Sequence, residues 1–449
     1  MTLRWLQPDL LQLSAGQFVT QHALAIDAAG RIAAVEPIEA LPATITPRRL
    51  PDQILLPGFV NAHSHAFQRA MRGSTEHLQV GHESDDFWSW RERMYQLALT
   101  LDPEPLYTIA FNLYREMLAA GYTAVGEFHY LHHRQDGSAH PTPDHLSRVL
   151  IRAAQDAGIR IAVLLVLYVT GGINTSPSPR QRRFISPDLG AFLSLLEPLL
   201  RDFGDAPLVS LGLAPHSIRA VPTPMLQKLA EWNRAHHLPV HMHVCEQVTE
   251  VEQTRAHLGA SPLEIIARTG LLDERFVGVH ATHLEADDPQ RLNDAGARVC
   301  ACPTTEANLG DGFLPAHALM SAGVPICIGS DSHIVVNPME ELRLIENNER
   351  LQRRRRNVLA GLMQPTPGSM RVAPGLLQSG ALHGGAALSI DAGQIKIGLH
   401  ADLIALDRND PYLSGVPTDH LAEAIVFSAG PRCVREVWVG GVTRYARSG

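Results

Sequence analysis

Lysine is almost missing from this chain: Lys228 and Lys396 are the only two among 38 basic residues. Lys228 falls in a helical pattern and Lys396 near the C-terminus, so no strand-like segment offers a lysine amine. The imbalance has the look of a genomic preference for arginine codons. Cysteine is scarce too, at five, and an odd number without framework spacing excludes a disulfide scaffold and points to a reducing compartment. Cys300 and Cys302 alternate within a strand-like run and read as core thiols. No apolar run approaches the roughly 18 residues that span a bilayer; IAVLLVLYV has nine. The opening MTLRWLQPDLLQL lacks the basic-then-apolar pattern of a secretion signal, so a cytoplasmic protein is expected. Positive charge is not in excess either: a net charge of −8 argues against non-specific attraction to nucleic acid or an acidic membrane. The one basic cluster, Arg353 to Arg356, lies in a helical pattern and is expected to be a solvated helix face.

What is present is an ordinary globular composition, 45% apolar and 19% charged, sufficient for a sizeable core. At 449 residues the chain is long for one domain and fits a barrel with an accessory domain. From Leu55 onward, short apolar runs alternate with longer amphipathic stretches. Eight runs read as strands: ILLPGFVNAHSH, YTAVGEFHY, RIAVLLVLY, LVSLGLAPHS, LPVHMHVCE, FVGVHATHL, RVCACPTT and VPICIGSDSH. Helical patterns such as PEPLYTIAFNLYREMLAAG and TPMLQKLAEWNRAHH lie between them. Strands apolar on both faces and separated by helices imply a parallel sheet, and eight such units imply a closed (β/α)8 TIM-type barrel over residues 57–388. Residues 1–56 and 389–449 read instead as short β-runs with turns, including the hairpin signal DAAG. They are expected to pair into a small β-sandwich built from both termini.

Polar residues gather at the C-terminal ends of six of the eight strands: His63 and His65, Glu127 and His129, His216, His243, His280, and Asp331. That rim is where barrels of this kind carry active sites. His63 and His65 are two apart on a strand, so both imidazoles aim at one point. With His243 from the fifth strand and Asp331 after the eighth, which neighbours the first, they make a candidate ligand set. Three imidazoles and a carboxylate suit Zn²⁺ or Fe²⁺ with room for a water. Taken singly, His243 could be a core histidine bonded to a carbonyl, and Asp331 an N-cap for PMEELRLIENNER. His280 ends the sixth strand near the set and could bond the water or the substrate. Glu246 lies three residues past His243 and is the nearest carboxylate for carrying a proton; the alternative is a surface acid opening the helix EQVTEVEQTRAHL. Two-metal barrels need a bridging carboxylated lysine on a middle strand, and none exists here, so one divalent cation per chain is expected.

These segments resemble the amidohydrolase superfamily in its deaminase branch: His-x-His after the first strand, His243 with Glu246, His280, and GSDS with Asp331. More narrowly, NAHSHAFQRAMRG, EFHYLHH, APHSIRAV, HMHVCEQ, VHATHL and CPTTEANLGDG look like the formimidoylglutamate deiminases, iminohydrolases of histidine degradation. The resemblance spans nearly the whole chain, including the split sandwich. It implies metal ligands His63, His65, His243 and Asp331, and Asp331 with His280 accepting or orienting a water proton. It implies Glu246 as proton carrier to the leaving nitrogen, and Gln68, Arg91, Tyr130, His216 and Arg219 as substrate contacts. Arginine offers a fork matched to the carboxylates of such a substrate. Arg91 in WSWRERMYQ could instead be a solvated helix position, with Arg93 in its place. The products would be N-formyl-glutamate and ammonia. A small-molecule substrate and a homodimer are implied, with no nucleic-acid or membrane partner. A nucleobase or heterocycle deaminase would share the metal site but want aromatic stacking in place of two arginines. A barrel retired from catalysis would have lost ligands, and here every one is present.

Overall fold

The computed structural model describes residues 3–78, 83–364, 366 and 368–447. Eight parallel strands form its centre: β1 (Phe59–Ser64), β2 (Tyr122–His129), β3 (Arg160–Leu167), β4 (Val209–Pro215), β5 (Val240–Val244), β6 (Phe276–His280), β7 (Arg298–Ala301) and β8 (Ile326–Ile328). Each pairs in parallel with the next in chain order. Each falls inside one of the eight expected runs. Every residue of β1, β2, β3, β5 and β6 is buried, which is why these strands read as unbroken apolar runs and not as alternations.

The ring closes just past β8. Ser64 bridges Asp331 in parallel, the Asp331 N–H donates to the His63 carbonyl at 3.0 Å, and the His65 N–H donates to the Asp331 carbonyl at 3.0 Å. Gly329 makes this approach possible. A Cβ there would sit 2.7 Å from His63 Cβ and 2.9 Å from its carbonyl oxygen, so only glycine fits. The helices pack outside the ring. Pro103–Ala120 shows why the sequence signals them well: proline opens the first turn, and Gly121 ends it in a left-handed conformation with φ 96°. Among the described residues no helix is long and apolar enough to cross a membrane.

The terminal segments form a second, mixed sheet. Arg48–Pro57 from the N-terminal part lies antiparallel to Leu403–Asp407 from the C-terminal part, which joins the two. The DAAG turn connects His22–Ile26 to Ile32–Pro37, with Asp27 Oδ1 accepting from Ala29 N and Arg31 N at 2.9 Å each. The tip of this hairpin meets the opposite end of the sheet: Ala401 N donates to the Gly30 carbonyl and Gly441 N to the Ala401 carbonyl, both at 2.9 Å. The sheet therefore curls over its own core of Leu6, Leu24, Leu55, Leu403 and Trp438, as the split sandwich requires. A buried ion pair, Arg160 Nε to Asp402 Oδ2 at 2.9 Å, ties it to the start of β3.

Cys300 and Cys302 are buried in the barrel interior with Cys327, Val277 and Val279. The arginine cluster departs from expectation. The helix Pro338–Arg353 stops at its first member, and Arg354 turns left-handed with φ 53°. Only Arg353 is helical, so the cluster marks a helix C-terminus, where the dipole favours cations, and the turn beyond it; it is not a helix face.

Candidate metal centre and active site

The His-x-His pair works although β1 stops at Ser64. His65 follows it at φ −123° and ψ 82°, and its Nε2 lies 3.2 Å from His63 Nε2. His243 Nε2 lies 3.2 Å from His63 Nε2 as well. Asp331 Oδ1 stands 3.5 Å from His63 Nε2 and 3.3 Å from His65 Nε2. Donor atoms about 2.0–2.1 Å from a tetrahedral ion sit roughly 3.3–3.4 Å apart, so this spacing is that of a ligand cage. The tautomers agree. His65 Nδ1 donates to the Phe128 carbonyl at 2.9 Å and His243 Nδ1 to the His216 carbonyl at 3.1 Å, leaving both Nε2 atoms as bare lone pairs facing the same point. The carbonyl-bonded core histidine and the candidate metal ligand are therefore compatible roles of the same His243.

Electrostatics keep this donor set ready. Burial lowers the His63 imidazole to about 3 and pushes His65 and His243 down, so all three are neutral at pH 7. Burial would raise the Asp331 carboxyl, but His63, His65 and His280 hold it well below the usual range. His63, His65 and His243 form one buried group that could hold a metal ion, and Asp331 belongs to a second with His280 and Cys302.

Backbone strain aims the neighbouring groups. Asp331, His280 and Cys245, the residue before Glu246, are all left-handed, with φ of 46°, 71° and 52°. Such non-glycine conformations concentrate at functional sites. Asp331 caps no helix: Asn337 does that for Pro338–Arg353, accepting from Glu340 N at 3.3 Å. Nor is Glu246 a surface acid opening a helix, since it is 5% exposed and the helix begins at Val248. His280 Nε2 lies 3.7 Å from both Glu246 Oε1 and Asp331 Oδ2. Burial opposes charging of His280, but a hydrogen bond to Glu306 and the charges of Glu246 and Asp331 raise it to about 10.

Above the donors opens a cavity of about 310 Å³. Gln68, Arg91, Tyr130, His216 and Arg219 all line it, together with Glu246, His280 and Asp331. Glu127 and His129 lie outside that lining. Gln68 Nε2 donates to the Tyr130 hydroxyl at 2.8 Å. Arg91 lies over Trp88, with Cζ 4.5 Å from the ring centroid, and its buried Nε has no partner among the described residues. Arg93 points elsewhere and pairs with Asp85 at 2.9 Å. Arg219 donates through Nη2 to Glu246 Oε2 at 2.8 Å, and its Nη1 is buried without a partner among the described residues.

The Amidohydrolase family matches residues 54–444, the span that holds the barrel and every donor. The chain belongs to this family. It is 44% identical over 391 residues to formimidoylglutamate deiminase of Pseudomonas aeruginosa, covering 86% of this chain and 83% of that one. It is 28% identical over 432 residues to 5-methylthioadenosine/S-adenosylhomocysteine deaminase of Nitratidesulfovibrio vulgaris, covering 95% and 88%. Among solved structures, an amidohydrolase from Brucella melitensis superposes with a TM-score of 0.87 at 34% identity, covering 98% of this chain and 94% of that one.

This amidohydrolase also carries groups around the cage to which sequence reasoning assigned no role, although Glu127 stood among the polar strand ends. Glu306 accepts from Cys302 N at 2.8 Å and bonds His280 Nδ1 at 3.3 Å. Its position, just past the seventh strand in CPTTEANLGDG, was the available signal. Glu127 accepts from Ser64 Oγ at 2.6 Å and Ala66 N at 2.7 Å, and so fixes the chain on either side of His65. Burial raises the Glu127 carboxyl to about 7 against these bonds. The aromatic wall gave no signal: Phe87, Trp88 and Tyr95 lie on a helix, where aromatic residues are usually core, and Tyr168 follows an apolar strand.

Proposed function

We propose that this amidohydrolase hydrolyses N-formimidoyl-L-glutamate to N-formyl-L-glutamate and ammonia, using one divalent cation per chain, Zn²⁺ or Fe²⁺, held by His63, His65, His243 and Asp331. The observation that carries this reading is the placement of two arginines, Arg91 and Arg219, in the same cavity as the donor cage. The substrate has two carboxylates and an amidine that is cationic at neutral pH. Arginine forks match the former, and Glu246 and Asp331 face the latter. The identity to formimidoylglutamate deiminase supports the same substrate class.

When bound, the cation supplies Lewis acidity and a source of hydroxide near neutral pH. Asp331 accepts the water proton, and His280, charged near neutral pH, helps to orient the water. Glu246 carries a proton to the departing nitrogen, because ammonia leaves far more readily than amide ion. Gln68, Tyr130 and His216 hold the amidine end, and the arginines hold the carboxylates. The water oxygen stays on the formyl carbon while the C–N bond to ammonia breaks.

The aromatic wall and the similarity to 5-methylthioadenosine/S-adenosylhomocysteine deaminase favour a second reading, deamination of a heterocycle. Against it, Arg219 Cζ lies 5.7 Å from the Phe87 centroid and Arg91 already covers Trp88, so those ring faces are occupied by guanidinium. Ammonia release measured over formimidoyl amino acids and nucleobases separates the two. Turnover of a nucleobase in preference to formimidoyl-glutamate rejects the first reading. A cytoplasmic homodimer is the accompanying expectation, its oligomeric state checked by light scattering.

A further inference from the structure

We infer that Glu250 is a positioning residue that holds the carboxylate anchor, Arg219, and the proton carrier, Glu246, at a fixed spacing; the inference rests on the substrate proposed above. Glu250 is wholly buried in the first turn of the helix Val248–Leu258. Its Oε1 accepts from Cys245 N at 3.1 Å, its Oε2 accepts from Glu246 N at 3.4 Å, and Oε2 lies 3.5 Å from Arg219 Nε. One carboxylate therefore touches both the backbone that carries Glu246 and the guanidinium that Glu246 itself contacts.

Arg219 faces two carboxylates, and they are not equivalent. Glu250 is tied by two backbone N–H groups. Glu246 has its side chain held by Arg219 at 2.8 Å and approaches His280 only at 3.7 Å. When Glu246 turns to the substrate nitrogen, Arg219 would become a bare buried cation were Glu250 absent. With Glu250 in place it stays neutralised and aimed, and its unpartnered Nη1 is left for a substrate carboxylate. An acid in the first turn of a helix also favours the dipole. That role alone would give no dependence on whether the substrate bears a carboxylate.

Glu250→Gln keeps the size and one acceptor while removing the charge. Losing one side of a buried charge pair costs about 30-fold or more. We expect kcat/KM on N-formimidoyl-L-glutamate to fall by that much, mainly through KM, with metal content unchanged. On an N-alkyl formamidine without carboxylates the fall should be much smaller. Equal falls on both compounds, or none on either, overturn the inference. A second measurement needs no substrate and does not depend on the Glu250→Gln single variant: thermal unfolding of Arg219→Met against Arg219→Met/Glu250→Gln. Arg219→Met strands a buried carboxylate, so the double variant should melt higher. A double variant that melts no higher overturns the pairing. A wild-type enzyme that fails to release ammonia from formimidoyl-glutamate overturns the proposed substrate instead, and the melting comparison still judges the pair.

Discussion

At one end of the cavity His63, His65, His243 and Asp331 stand on or just past β1, β5 and β8, where ladder hydrogen bonds fix the backbone. At the other end Arg91 rides on the helix Phe87–Ala98, and Arg219 sits in the turn after β4. The donor cage is held by the barrel itself, so its geometry can tolerate little change. The arginine wall hangs on connections, which vary without disturbing the sheet. On the proposed reading, reaction chemistry and substrate choice are carried by separate parts of the fold, and each can be perturbed alone.

The largest effect should come from the cage. Chelation, or His63→Ala, is expected to abolish ammonia release, and added Zn²⁺ should restore the chelated wild type but not the variant. Elemental analysis should find one equivalent per chain; two tightly held equivalents would contradict the single-cation reading. Next comes Glu246→Gln, which removes the proton carrier without touching a ligand. Turnover should fall by about 10² to 10⁴ with metal retained. A variant without metal would move Glu246 into the cage.

The arginine wall is expected to respond differently, through selectivity. Arg219→Met loses a buried partner worth about 2 to 5 kcal/mol, a drop of roughly 30-fold to several thousand-fold in kcat/KM. The drop should shrink on an analogue lacking the carboxylate. Arg91→Ala loses a charge-assisted contact worth about 1.5 to 3 kcal/mol, roughly 10- to 100-fold. Arg93→Ala removes a partly exposed pair with Asp85, should cost about 0 to 1 kcal/mol of stability, and should leave kcat/KM unchanged. An Arg93 effect exceeding that of Arg91 would reverse the assignment of the wall.

The same division explains what could be read from the sequence. Strands buried on both faces leave unbroken apolar runs, so all eight were legible, and β8 remained so although its ladder spans only Ile326–Ile328. Strand periodicity also placed His63 and His65 on one point, and chain order brought Asp331 beside them. Gln68, Arg91, Tyr130 and Arg219 have no such periodicity. They became candidates through resemblance alone, because helices and turns place a side chain by how they pack and not by spacing along the chain. Glu250 and Glu306 escaped for a further reason. A buried acid that bonds backbone N–H groups looks, in sequence, like any acid near a helix start.

Two of the hydrogen bonds that close the barrel run between the backbones of the proposed metal ligands themselves, Asp331 N to His63 O and His65 N to Asp331 O. Fraying of that seam would pull the proposed donors apart, and a cation held by them would clasp the first and last strands together. At a hundred times its dissociation constant, a ligand adds about 2.7 kcal/mol to the folded state. Here that increment is concentrated at one join in the ring. The amide hydrogens of His65 and Asp331 should exchange with solvent more slowly as metal is added, before amides on the far side of the barrel respond. Occupancy of the cage and closure of the ring would then be a single equilibrium, followed by two protons.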